Sequence, residues 1–303
     1  MISQLHILLT YVCTKSCDHC FVCSSPEADP IGTFSLDQLK KVIDEAKKIE
    51  SMEWFYFEGG EPFLFYPIMM DAIQLAKKNK FKVGIVTNGY WANSEENVRY
   101  YLRELHEVGL DDLSVSDDCF HMINEFDHPS LVLEKLGKEI GVPINTLTLN
   151  KPDDIPIENI EIKKGEPIIG GNIRLRGRAA DKLTKNLPVQ ESMYLNTCGH
   201  EELVNPMRVH LDAYGYVHIC QGISIGNMWE QPLSEILLNY NAYDHPIVAP
   251  LIKGGPLELA KKYQIPYQEK FIETCHMCYE IRKELRSYHP EYLQPNQMYN
   301  EYI

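Results

Sequence analysis

The first half of the chain alternates two spacings of apolar residues. Leu5–Tyr11 is a β-prone apolar run that leads straight into Cys13. Ser35 opens a helical pattern through Ile49, with Gln38 placed as its capping-box partner. Glu53–Phe57 is strand-like and stops at Gly59-Gly60, and Ile68–Lys78 reads as a helix. Phe81–Thr87 is a strand halted by Asn88-Gly89, and Glu95–Val108 is a helix with Gly109 just past its end. Asp112–Ser116 is a short strand, Ser130–Ile140 a helix closed by Gly141, and Ile144–Leu149 and Asn172–Ala179 are further strands. Strands separated by helices of this length predict an α/β fold with βα units and a parallel sheet or barrel. Around residues 181–195 the pattern changes. A hairpin is predicted at Arg208–Leu211 and Val217–Cys220 about a Tyr214-Gly215 turn, then helices at Leu233–Asn239 and from about Tyr279 to Ser287. The polar tail 288–303 carries no assignable element.

Composition narrows the class. The chain has 303 residues, 29 basic and 43 acidic, for a net charge of −14. That balance argues against nucleic acid or an anionic membrane face as partner, since both need a basic footprint. No apolar stretch is long enough to span a bilayer. The first ten residues lack a basic n-region and a cleavage site, so a cytoplasmic setting is expected. Nine cysteines are an odd number in a chain without a secretion signal. Metal binding or catalysis is therefore expected rather than a disulfide framework.

Cys13, Cys17 and Cys20 lie in the loop after the first strand. Three thiolates so close suit an iron–sulfur cluster, or zinc with a fourth ligand from elsewhere. In a four-iron cluster they leave one iron open. Glu58-Gly59-Gly60-Glu61-Pro62 follows the second strand, Thr87-Asn88-Gly89 ends the third, and Ser116 and Asp117 end the fourth. Each alone could be a β-turn or a solvated acidic face. Together, a CxxxCxxC loop, a GGEP motif and a TNG motif at successive strand ends resemble the radical S-adenosylmethionine (SAM) superfamily.

The resemblance covers roughly residues 5–180. It implies a partial (β/α)6 TIM-type barrel, with domains at 1–185 and 186–303, and a [4Fe-4S] cluster with an open iron on Cys13, Cys17 and Cys20. It also implies SAM held by Gly59, Gly60, Glu61, Pro62, Thr87, Asn88, Ser116 and Asp117. In this reading Glu61 receives the methionyl ammonium. His19 stands where the family often has an aromatic residue, so its imidazole is expected to stack on adenine. Cys23 also fits a cluster spacing; as a fourth ligand it would exclude SAM, and its alternative is a small buried residue. The family's chemistry is reductive cleavage of SAM to a 5′-deoxyadenosyl radical that abstracts a hydrogen atom, fed by a low-potential donor such as flavodoxin or ferredoxin.

Cys198, Cys220, Cys275 and Cys278 give four further thiolates, enough to close a second [4Fe-4S] cluster; Cys275-x2-Cys278 is also a zinc half-site. The stretch 209–220, Ile225-Gly226-Asn227 and Leu233-Ser234-Glu235-Ile236, together with Gly177-Arg178-Ala179, resembles SPASM and twitch domains, which carry auxiliary clusters. The cysteine count suits a twitch-like, single-cluster extension with these four as ligands.

Two readings come from local physics. Arg174, Arg176 and Arg178 alternate with apolar residues and glycine, so a strand there would put all three on one face, expected to look into the barrel. Arg178 is then a candidate for the SAM carboxylate, and Arg174 and Arg176 for an anionic substrate group. The alternative is pairing with internal carboxylates such as Glu58. Cys119, just past the fourth strand, is a candidate hydrogen-atom donor or a small buried residue; His121 could serve as a base. The functional expectation is a radical SAM oxidoreductase acting on a ribosomally made peptide by epimerisation, cross-linking or oxidation, though the barrel starts at once, with no leader-grasping domain before it. The rivals are a radical SAM dehydrogenase of a small polar or anionic metabolite, and a non-catalytic iron–sulfur or zinc protein.

Overall fold

The computed structural model describes residues 2–121, 128–153 and 168–301. β1 (Gln4–Thr10), β2 (Trp54–Gly59), β3 (Lys82–Thr87), β4 (Asp112–Ser116) and β5 (Ile144–Leu147) are joined in series by α1 (Leu36–Ala46), α2 (Tyr66–Lys78), α3 (Glu95–Glu107) and α4 (Pro129–Ile140). All neighbouring pairs among these strands are parallel. This is the expected partial TIM-type barrel. The predicted caps are present: Ser35 and Gln38 close a reciprocal capping box on α1, and Gly141 ends α4 at φ 96°.

Period two sorts the strand residues. Leu5, Ile7, Phe55, Phe57, Val83, Ile85, Leu113 and Val115 are buried in the hydrophobic core. The intervening His6, Tyr56, Glu58, Asp112 and Ser114 line an internal cavity instead. A face built of such polar residues is one that water or a ligand must satisfy.

Two expectations are corrected. Asn172–Ala179 is not a strand. Gly177 turns the chain at φ 59°, and Arg178 opens the short helix α5 (Arg178–Lys182). A Cβ on Gly177 would lie 2.6 Å from the Phe21 carbonyl oxygen, so the chain is bent here to pass closely under the first cysteine loop. The expected hairpin does form, as β7 (Arg208–Asp212) and β8 (Tyr216–Cys220), but it is built onto the barrel sheet. After the short β6 (Gln190–Glu191), β7 pairs parallel with β1, opposite β2, and β8 and β9 (Ile223–Asn227) extend the sheet antiparallel. The strand order is β5-β4-β3-β2-β1-β7-β8-β9.

α6 (Leu233–Asn239) falls where predicted. α7 (Val248–Tyr263) was not foreseen; Gly254, Gly255 and Pro256 interrupt its pattern and kink it. β10 (Lys270–Phe271) pairs with β6. The last helix, α8 (Thr274–Leu285), starts a turn and a half earlier than expected and so carries Cys275 and Cys278. Among the described residues, no helix is long and apolar enough to cross a membrane.

Candidate active site and second cysteine site

The C-terminal ends of β1–β4 open onto a cavity of about 480 Å³ whose wall includes Cys13, Cys17 and Cys20. Backbone bonds shape their loop: Cys13 N–H donates to Ser25 O (3.0 Å) and Cys20 N–H to Cys17 O (3.1 Å). Arg178 braces it from below, donating to Cys17 O and Ser24 O, both at 2.8 Å. Arg178 therefore holds the loop's backbone, and it is not part of the cavity wall as the SAM-carboxylate role required. Burial, with the neighbouring cysteines adding, pushes the Cys13 thiol up to about 11 and the Cys17 thiol up to about 12. Cys23 is fully buried and lies outside the wall, its sulfur 3.9 Å from Cys20 O. Three thiols, not four, face the cavity.

The glycine motif abuts this loop. Gly60 N–H donates to Thr10 O (2.7 Å) and Glu61 N–H to Val12 O (2.9 Å), extending the ladder of β1. A side chain on Gly60 would collide with the Val12 carbonyl, which explains the glycine. Gly59 and Gly60 reach the cavity; Glu61 and Pro62 do not. Glu61 is completely buried and accepts from Phe63 N–H (3.1 Å), Thr87 Oγ1 (2.8 Å) and Asn88 N–H (2.8 Å). Burial pushes its carboxyl up to about 7 against these donors. The ammonium role expected of Glu61 is thus replaced by a positioning one: it ties the glycine loop to the end of β3.

Thr87 and Asn88 do line the cavity, and Asn88 Nδ2 donates to Thr14 Oγ1 (3.0 Å) and stands 3.5 Å from Cys13 Sγ. At the end of β4 the two acids separate. Ser116 faces the cavity, but Asp117 turns away to bond His128 Nδ1 (2.9 Å), Ser130 N–H (3.2 Å) and the Ser130 hydroxyl at the start of α4. Asp118 takes the place expected of Asp117 in the wall, accepting from Phe120 N–H, Leu149 N–H and bonding His121 Nδ1 (2.8 Å). The doubled acid was the only sequence signal for it. The His19 imidazole packs beside the rings of Phe120 (4.6 Å) and His121 (5.1 Å). Burial, then His121, brings it down to about 4, so it is neutral. Cys119 is exposed and is not in the described wall, which removes the geometric basis for a hydrogen-atom donor.

Deeper on the inner face, His6, Glu58 and His210 meet from three adjacent strands. Glu58 Oε2 lies 3.1 Å from His6 Nδ1 and Oε1 lies 3.2 Å from His210 Nε2. Burial alone would raise the Glu58 carboxyl, but the two imidazoles outweigh it and hold the group well below its usual range. Glu58 is therefore paired with histidines, not with the arginine row. Neither histidine was singled out from the sequence, because only the β1–β7 pairing brings them together.

Residues 7–146 match the family described as the radical SAM superfamily. That stretch, a little under half of the chain, is a radical SAM domain. A putative peptide biosynthesis protein, YydG of Bacillus subtilis (strain 168), is 27% identical over 109 residues, which are 36% of this chain and 34% of that protein. The tungsten-containing aldehyde ferredoxin oxidoreductase cofactor-modifying protein of Pyrococcus furiosus is 34% identical over 108 residues, 35% of this chain and 28% of that one. The chain thus spans about a third of the length of these relatives. The crystal structure of BtrN in complex with AdoMet and 2-DOIA has a similar fold, with a TM-score of 0.51, 18% identity, and coverage of 79% of this chain and 83% of that one. The radical SAM family implies a [4Fe-4S] cluster and SAM. The donor set fits: three cysteine sulfurs face one cavity and the nearby fourth is sealed from it.

Outside the radical SAM match, Cys198, Cys220, Cys275 and Cys278 line a single small pocket. Cys220 ends β8, and Cys275 and Cys278 share one face of α8 at i, i+3. Glu273 fixes the helix start, accepting from Cys275 N–H and Leu175 N–H, both at 3.0 Å. Burial pushes the Cys198 thiol up to about 12. Two buried guanidiniums border the same pocket, Arg176 and Arg282. Arg176 Nη1 donates to Glu201 Oε1 and stands 3.0 Å from Cys220 Sγ. Thus the arginine row does not share a face: Arg174 is exposed, Arg176 joins the second cysteine pocket and Arg178 braces the first cysteine loop. None of the three lines the barrel cavity, so the substrate role drawn for Arg174 and Arg176 loses its geometry.

Proposed function

We propose that this chain is a radical SAM oxidoreductase that modifies a ribosomally synthesised peptide in a reducing, cytoplasmic setting, with a second [4Fe-4S] cluster on Cys198, Cys220, Cys275 and Cys278. The observation that carries the reading is the cavity wall of Cys13, Cys17 and Cys20 with Cys23 excluded from it, since three sulfurs leave one iron of a four-iron cluster open. Cys13, Cys17 and Cys20 would hold the cluster, which together with SAM would supply radical hydrogen-abstraction chemistry in this cavity.

The chain's own residues shape the rest. Gly59 and Gly60 bring backbone into the cavity; Asn88 and Ser116 add polar groups to its wall. The neutral His19 ring, supported by Phe120 and His121, offers an apolar face next to Cys20. His6 and Glu58 give the inner face a buried acid–base pair. The small four-cysteine pocket suits a coordinatively complete cluster, and its two guanidiniums offset the negative charge that four thiolates bring. The peptide assignment is supported by the similarity to the Bacillus subtilis peptide biosynthesis protein. A flavodoxin or ferredoxin would supply electrons.

Anaerobic reconstitution tests the whole. About eight irons per chain are expected from two four-iron clusters, and deoxyadenosine on adding SAM and dithionite. A short peptide encoded beside the gene should change in mass when included. Stimulation of deoxyadenosine formation by small metabolites and not by the peptide overturns the peptide assignment; intact SAM overturns the chemistry.

A further inference from the structure

We infer that Arg176 sets the reduction potential of the cluster proposed at Cys198, Cys220, Cys275 and Cys278, and joins that site to the barrel cavity. The inference rests on the cluster assignment above. Arg176 is buried, and one nitrogen, Nη1, meets both Cys220 Sγ and Glu201 Oε1 at 3.0 Å. Its Cζ lies 5.7 Å from the centroid of the Phe21 ring. Phe21 follows Cys20 directly and lines the barrel cavity. One guanidinium therefore touches a sulfur of the second site and a side chain of the first.

The chemistry follows from charge. Adding an electron to a cluster adds a negative charge that must be stabilised in a small, largely apolar pocket. A cation that donates a hydrogen bond to a ligand sulfur favours the reduced form and raises the potential. Arg282, across the pocket, donates to Gln221 O (2.7 Å), the Tyr299 hydroxyl (3.2 Å) and Cys278 O (3.3 Å) and also bears on the Cys278 thiol, while Arg176 is the guanidinium set 3.0 Å from the Cys220 sulfur. Arg176 also has a buried Nε without a partner, so its cradle is not a closed structural salt bridge. A guanidinium stays a cation in proteins, and Glu201 Oε1 pairs with this one at 3.0 Å. The electron needs no accompanying proton at this site; in the test below dithionite donates it.

The test uses the full chain with Cys13, Cys17 and Cys20 all changed to Ala, so that only the second site is loaded. After anaerobic reconstitution with iron and sulfide, the parent should hold about four irons. Reduction by dithionite is then followed by EPR against potential. Arg176→Met should move the midpoint to more negative potential and Arg176→Lys should return part of that shift. Lys270→Met, which removes a surface charge from β10, should leave it in place. An unchanged midpoint in Arg176→Met at full iron content overturns the inference while leaving the cluster assignment intact. If Arg176→Met fails to hold iron, the neutral Arg176→Gln decides: a negative shift supports the inference and the parent's midpoint overturns it. A parent that takes up zinc and no iron overturns the cluster assignment, and this inference with it.

Discussion

The two cysteine sites solve different problems with the same side chain. The first takes three thiols from one loop and turns them toward a cavity with polar walls. The second gathers four thiols from a loop, a strand end and a helix, and sets them beside two buried arginines. One loop can leave a gap in a coordination shell; separate elements converging from several sides close it. Even their half-buried imidazoles correspond. His19 sits inside the first cysteine run and His276 inside the Cys275–Cys278 pair, and burial brings both down to about 4. The comparison teaches that the same ligand type makes different sites according to how many elements supply it and how polar the surrounding wall is.

The sharpest way to break this contrast is to empty one site at a time. Changing Cys13, Cys17 and Cys20 to Ala should abolish deoxyadenosine formation and halve the iron. Changing Cys275 and Cys278 to Ala should lose a similar share of iron yet leave SAM cleavage by dithionite intact. Equal loss of deoxyadenosine in both variants would show that the second site is not a separate relay. Next comes Glu61→Ala, which orphans two backbone donors and the Thr87 hydroxyl and should cost roughly 2–4 kcal/mol in chemical denaturation. A loss below about 1 kcal/mol, the worth of one ordinary hydrogen bond, would deny its positioning role.

Acidification probes the second site more gently. His276 is held neutral by burial, whereas in the unfolded chain it charges below about 6.5. The folded state therefore binds fewer protons between pH 6.5 and 4, and its stability falls as pH drops through that window. His276→Gln should flatten this slope in denaturant midpoints measured from pH 7 to 4; an unaltered slope means another group governs it. The smallest effects sharpen the assignment of the two leftover thiols. Cys23→Ala should keep the full iron content and SAM cleavage at a cost of about 1 kcal/mol in stability, and Cys119→Ser should leave deoxyadenosine yield unchanged. A drop in iron for Cys23→Ala would mean that the first shell is closed after all.

The barrel was readable where local rules operate. Ser35 with Gln38, Gly109 and Gly141 mark helix ends by their own chemistry, and alternation along β1–β4 separates core from cavity. The triad and the glycine motif were readable because they are contiguous. What failed was decided by distant contacts. Asp117 and Asp118 look equivalent in sequence, but α4 captures one of them. The arginine alternation imitates a strand, yet Gly177 bends that segment beneath Phe21. The helix bearing Cys275 begins at a Glu cap, a weaker signal than Ser or Asp. α7 was hidden by its own Gly-Gly-Pro interruption.

β1 carries a further consequence. Both of its flanks are occupied, one by β2 and the other by β7, and the Tyr11 hydroxyl donates across to Asp212 at 2.9 Å. Cutting the chain between the two cysteine regions would therefore not liberate a trimmed barrel; it would strip one side of the strand that feeds the first loop. Such a fragment would present a long, greasy ribbon edge to its neighbours and should clump before it could be assayed.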